Sequence, residues 1–205
     1  MRDRVKALVE LIEALDGLRV GRYASADRLE RVATELGLRL PYSWEELRGD
    51  IEGILALPAA SPEYGKLERM DRLATLLLRA NLSMLLAAIA AYLLRWFVGG
   101  PLLEAVALLA LVGALVTVNL AYSLKVYVAV RVGAIYAERA GDLEKLGRRI
   151  KATVEYLLRQ LRRELVSRGY DLSAFTLKLW MPDYSGVRVV KKPGRLSARY
   201  VVRLA

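Results

Sequence analysis

Residues 95–104, Arg95-Trp96-Phe97-Val98-Gly99-Gly100-Pro101-Leu102-Leu103-Glu104, place a Gly-Gly-Pro turn between two long apolar runs. Two consecutive glycines let the chain reverse, and proline at the first position of a helix has the φ that a new helix needs. The turn therefore ends one helix and starts another, and the two must run antiparallel. Downstream, Leu102–Leu124 contains 22 uncharged residues out of 23, Glu104 being the exception. About 20 residues rising ~1.5 Å each cross the ~30 Å hydrocarbon core of a bilayer. Upstream, the uncharged run between Arg79 and Arg95 has 15 residues. Arg79 can extend its charge toward the near surface, so 79–98 is long enough to span. A helix with no polar face leaves nothing for water, and a chain this small cannot cover it all round. The expected core of the fold is thus a two-helix transmembrane hairpin with spans at about 79–98 and 102–124.

Antiparallel pairing about Gly99 and Gly100 brings together residues whose numbers sum to about 199 or 200. Arg95 and Glu104 meet this rule and are expected to form an ion pair at the hairpin tip. Asn81 with Asn119, and Ser83 with Thr117, fall at equal depths and are expected to form intramembrane polar pairs, because an unpartnered polar group in lipid is costly. Ala110, Gly113, Ala114, Thr117 and Ala121 make a small-residue stripe that allows close helix approach. Lys66, Arg69, Arg72 and Arg79 flank the first span, and Lys125, Arg131 and Arg139 the second. The positive-inside rule then places both termini in the cytoplasm in a two-pass cell-membrane protein. Tyr92, Trp96 and Phe97 would mark the outer interface, Tyr122 and Tyr127 the inner one.

Working outward, residues 1–60 read as a small helical module. Val5, Leu8, Leu11, Ile12 and Leu15 lie at helical spacing in a first helix spanning Arg2–Leu15. Ser25 opens a second helix, and Ser43 with Glu46 forms a capping-box pattern for a third that Pro58 stops. Ser61-Pro62-Glu63 then starts the long hairpin region, 61–140, whose helices extend beyond the spans into the cytoplasm. Residues 141–205 read as an α-β-β-β module. Its helix carries Leu143, Leu146, Ile150, Val154, Leu157, Leu161 and Leu165 as a narrow stripe suited to one partner, either a second copy or the sheet that follows. Phe175–Trp180, Val187–Lys191 and Ala198–Leu204 are predicted as a three-stranded antiparallel meander.

Charge divides the chain. Residues 1–80 carry 13 Lys/Arg against 14 Asp/Glu, whereas 141–205 carry 15 against 6, so most of the net +10 lies in the last third. Lys178, Arg188, Lys191, Lys192, Arg195, Arg199 and Arg203, with Arg148, Arg149, Lys151, Arg159, Arg162 and Arg163, are the expected basic surface. Its candidate partners are anionic lipid headgroups, an acidic protein, and nucleic acid or the ribosome. Trp180, Tyr184 and Tyr200 could stack bases, but no RNA-binding motif is present.

The sequence contains neither cysteine nor histidine, and only two asparagines and one glutamine. That composition excludes thiol and imidazole chemistry and suits a hot habitat. No phosphate loop, nucleophile elbow or metal-ligand cluster is present, so no catalytic residue, cofactor or metal is assigned. Glu10, Glu13, Glu30, Glu45 and Glu46 read as a solvated helix face. The expected function is a non-enzymatic membrane scaffold or accessory protein that anchors cytoplasmic binding modules. The alternatives are a subunit of a larger machine, such as a secretion or pilus platform or an insertion factor contacting an ATPase or ribosome, and a small oligomeric transporter or channel subunit.

Overall fold

The computed structural model describes residues 4–194 and 197–205. Arg195 and the start of the first predicted helix at Arg2 lie outside them. The described elements are six α-helices and three strands: α1 Arg4–Leu18, α2 Ala26–Glu35, α3 Trp44–Ala56, α4 Tyr64–Val98, α5 Pro101–Glu138, α6 Ala140–Ser167, β1 Thr176–Leu179, β2 Val187–Lys191 and β3 Tyr200–Leu204. A short 3-10 turn at Leu57–Ala60 takes in Pro58. The chain is mostly helical and divides into two compact units.

One unit joins the two ends of the chain, Met1–Pro58 with Tyr136–Ala205. The sequence had placed these ends in separate modules; they share one core. Leu8, Leu11, Ile12 and Leu15 of α1, Leu47, Ile51 and Ile54 of α3, and Ile150, Leu157, Leu161 and Leu165 of α6 are all buried. The leucine stripe of α6 packs on α1 and α3, so the partner expected from a second copy or the sheet is supplied by the N-terminal helices. Full burial of each such side chain contributes ~1.5–3 kcal/mol. The cap of α3 forms as its sequence dictates, with Ser43 and Glu46 bonding reciprocally. Ser25 stands at the N-cap of α2 without a side-chain cap bond.

The turn after α1 depends on a glycine. Gly21 has φ 75°, and a Cβ there would fall 2.5 Å from the Tyr136 ring. Tyr136 is buried and donates its hydroxyl to the carbonyl of Ile54 at 3.2 Å, which ties the last turn of α5 to α3.

The sheet order is β1-β3-β2, with both pairings antiparallel. This corrects the predicted meander, in which β2 would have been central. The reason lies in the segment after β1: Trp180 and Met181 donate backbone N–H groups to the Asp16 carboxylate on α1. Held there, the segment does not fold back along β1, and β2 pairs on the far side of β3. Gly194 and Ser197 bridge to close the β2–β3 connection instead.

The second unit, Ala59–Ile135, contains α4 and most of α5. Gly99 and Gly100 adopt φ 68° and 112°, conformations that suit glycine, and make the reversal. Both helices are long and apolar enough to cross a membrane. Along their most apolar stretches, only 11% of α4 and 6% of α5 is buried within the chain. Ala74, Ala88, Ala91, Ala114 and Ala121 fill the seam between them.

Candidate functional site

Polar contacts run along the whole hairpin. At the tip, Arg95 Nε lies 3.1 Å from Glu104 Oε1. Midway, Asn81 donates to the Ala114 carbonyl and, at 3.4 Å, to Thr117 Oγ1. At the other end, Lys125 reaches Asp71 at 2.7 Å and Thr75 at 3.1 Å, and Arg131 reaches Glu63 at 2.5 Å. Two of the expected pairs are not made. Asn119 bonds the Leu115 carbonyl and Ser83 the Arg79 carbonyl, each within its own helix. The cause is rotation about the helix axis. Residues two apart point ~200° away from each other, so only one of Asn81 and Ser83, and one of Thr117 and Asn119, can face the other helix. Equal depth selected the right levels, but helical phase made Asn81–Thr117 the bonded pair. The bridges of Lys125 and Arg131 were readable only as flanking charge.

In the other unit, the end of α1 holds a cluster that the sequence reading passed over. Asp16 is 0% exposed and accepts hydrogen bonds from the Tyr184 hydroxyl (2.6 Å), from Met181 N (3.2 Å) and from Trp180 N. Burial pushes its carboxyl above the ordinary carboxylate range, against the pull of these bonds and of the Arg19 charge. Burial likewise drives the Tyr184 phenol far above its ordinary value. Beside them Arg19 grips Asp183 through two bonds, 2.7 and 2.8 Å long, and Lys151 adds a third at 2.9 Å. The Arg19 bond in particular holds the Asp183 carboxyl well below the usual range, and the guanidinium lies 5.0 Å over the Tyr184 ring. Asp50, similarly buried on α3, receives two bonds from Arg149 at 2.7 and 2.8 Å. Both acids were visible as acids on an apolar face: Asp16 follows Ile12 by four residues, and Asp50 precedes Ile54 by four. An acid in that position signals a partner arriving from elsewhere in the chain.

A cleft of about 670 Å³ opens beside this cluster, between α1, α2 and Trp180. Leu11, Ala14, Leu29 and Val32 contribute apolar lining. Arg22 stacks 3.8 Å from the Trp180 ring centre, with Arg199 at 5.0 Å, and Arg199 also pairs with Glu13 at 3.0 Å. Across the cleft Arg28 pairs with Glu10 at 2.5 Å. The acids read as a solvated face are therefore partly engaged in ion pairs. The cleft can bind by apolar contact and charge; its lining has no nucleophile–base pair. Among the described residues, no group of three or more His, Cys, Asp or Glu could hold a metal ion.

The structure divides the predicted basic surface. Arg149, Lys151 and Arg199 are occupied by Asp50, Asp183 and Glu13, so these three leave the free cationic set. Arg195 lies outside the described residues. Lys178, Arg188, Lys191 and Arg203 remain together on one side of the sheet. The register aligns two rows, Thr176–Arg203–Arg188 and Lys178–Val201–Lys191, while Leu177, Leu179, Val202 and Leu204 are buried on the other side. Lys192 follows directly after β2 and is exposed. Compared with protein families, curated proteins and solved structures, the chain matches none.

Proposed function

We propose that this chain is an integral membrane scaffold that crosses the bilayer twice, with both termini in the cytoplasm, and carries a compact binding unit on that side. It works by position rather than by catalysis. The observation that carries the reading is the exposed apolar surface of α4 and α5: Leu86, Leu93, Trp96, Phe97, Leu108 and Leu109 are all more than half exposed. In water that surface would drive aggregation, and in lipid it is the required exterior. The charge pattern supports the orientation, since the tip has one arginine paired with a glutamate while the base is ringed by Lys and Arg. In this reading the cleft beside Trp180 receives part of a partner.

The absence of cysteine makes the test clean, because a single introduced thiol is the only one in the chain. Val98→Cys at the tip should react with a membrane-impermeant maleimide on intact cells, and Ser173→Cys should react only after lysis. Labelling of Ser173→Cys from outside would overturn the orientation. Recovery of the chain in the soluble fraction would overturn the membrane reading itself.

A further inference from the structure

We infer that the outer face of the three-stranded sheet is a docking surface for anionic lipid headgroups. The inference rests on the membrane reading proposed above. Arg188 and Arg203 stand directly opposite each other on β2 and β3. Like charges in that position destabilise a sheet, and no strand contains an acid to relieve them. From Val187 to Ala205 the sequence has six Lys/Arg and no Asp/Glu. Asp171, the acid that senses Arg203, is held by Ser173 and forms no ion pair with it among the described residues. Lys178, Arg188, Lys191 and Arg203 are likewise without ion pairs among the described residues, although elsewhere in this unit Arg19, Arg149, Lys151 and Arg199 each have one. A cationic face kept at a cost to the sheet, with like charges opposed across β2 and β3 and no acid on its strands, calls for an anion from outside.

Three outside anions fit that charge, and the face distinguishes them. Its two outer rows contain no aromatic residue, so it offers no ring on which bases could stack, as recognition of single-stranded RNA demands. Neither row lines any of the clefts found among the described residues, so the face offers no seat there for the side chains of an acidic protein. Val190, placed by the bulge between Val189 and Lys191, is 49% exposed among the lysines, giving small apolar groups set within cations. That is the composition of a surface resting on headgroups, where point charges need only proximity. The covalent link through α5 keeps such a membrane permanently available to it.

The test uses the full chain reconstituted in vesicles of phosphatidylcholine with or without phosphatidylglycerol. A fluorophore on Val190→Cys reports the sheet face, and one on Leu108→Cys reports insertion of the hairpin. A quencher on the lipid headgroup should suppress Val190 emission several-fold more in anionic than in zwitterionic vesicles, with recovery in high salt. An acyl-chain quencher should suppress Leu108 emission in both. Adding R188E and K191E to the Val190 reporter should abolish its quenching while the Leu108 signal and the near-ultraviolet circular dichroism stay unchanged. Quenching at Leu108 with none at Val190 overturns the lipid assignment and leaves the membrane reading intact. Silence at both sites overturns both. Release of Val190 quenching by poly-uridylate or poly-glutamate at matched ionic strength would give the face to nucleic acid or to an acidic protein.

Discussion

Asp16 and Asp183 show how two carboxylates that both feel the charge of Arg19 come to play opposite parts. Asp16 has lost its water and is held by three donors, so Asp16→Ala would leave two backbone N–H groups and the Tyr184 hydroxyl facing a void. Each unsatisfied buried group costs ~1–3 kcal/mol, and the variant should lose roughly 3 kcal/mol or more, read from denaturant unfolding. Asp183 is partly exposed, and its effect is clearest in pH dependence. The Arg19 bond depresses its folded pKa below the ordinary 3.8, so the stability it contributes is complete above that value and lost as pH falls below it. The raised pKa of Asp16 has the reverse sign, favouring the fold at low pH and less so as pH rises past 3.8. Asp183→Asn should therefore be less stable at neutral pH, yet lose less of its remaining stability on acidification. Thermal unfolding followed by tryptophan fluorescence across an acid pH series checks this; an unchanged acid slope would assign the loss to other carboxylates.

At the scale of elements, the sheet sets local stability against charge. Replacing Arg188 by glutamate turns a repulsive cross-strand pair with Arg203 into an attractive one, and should stabilise the unit by about 0.5 kcal/mol. A rise in the unfolding midpoint is the expected result, and a fall would mean that Arg188 already has a stabilising partner. Legibility differed among elements for related reasons. The helices, the capping box and the Gly99-Gly100 reversal were readable because their determinants are local: apolar spacing, a Ser43–Glu46 pair, and glycines where φ is positive. Strand order was not, since it depends on where Trp180 and Met181 find their acceptor, 164 and 165 residues away. In the hairpin, counting from the turn gave depth correctly. It could not give phase, and so it paired Asn81 with Asn119 and Ser83 with Thr117, where the seam joins Asn81 to Thr117. The basic surface was overcounted for a similar reason, because ion pairs such as Arg149–Asp50 and Arg199–Glu13 join helices far apart in sequence.

For the whole molecule, the most consequential fact is that the compact unit is assembled from both ends of the chain. Its core combines α1 and α3 with α6, and Asp16 on α1 holds the segment that follows β1. Neither end can bury those faces alone, so the chain must pass through the whole hairpin before the unit can close. The Tyr136 hydroxyl bonds the Ile54 carbonyl, which brings the two points where the hairpin leaves the unit close together. Replacing residues 59–135 by about eight Gly/Ser residues, with an r.m.s. reach of roughly 16 Å, should therefore leave the unit able to fold. The expected product is soluble without detergent, unfolds cooperatively and retains Trp180 in its ordered environment beside Arg22. The segment 136–205 expressed alone should instead aggregate, because the α6 stripe would face water. Sedimentation and near-ultraviolet circular dichroism separate these outcomes. If the linked unit were also insoluble, the hairpin would be part of its core, and the division of the chain into an apolar hairpin and a self-sufficient compact unit would fail.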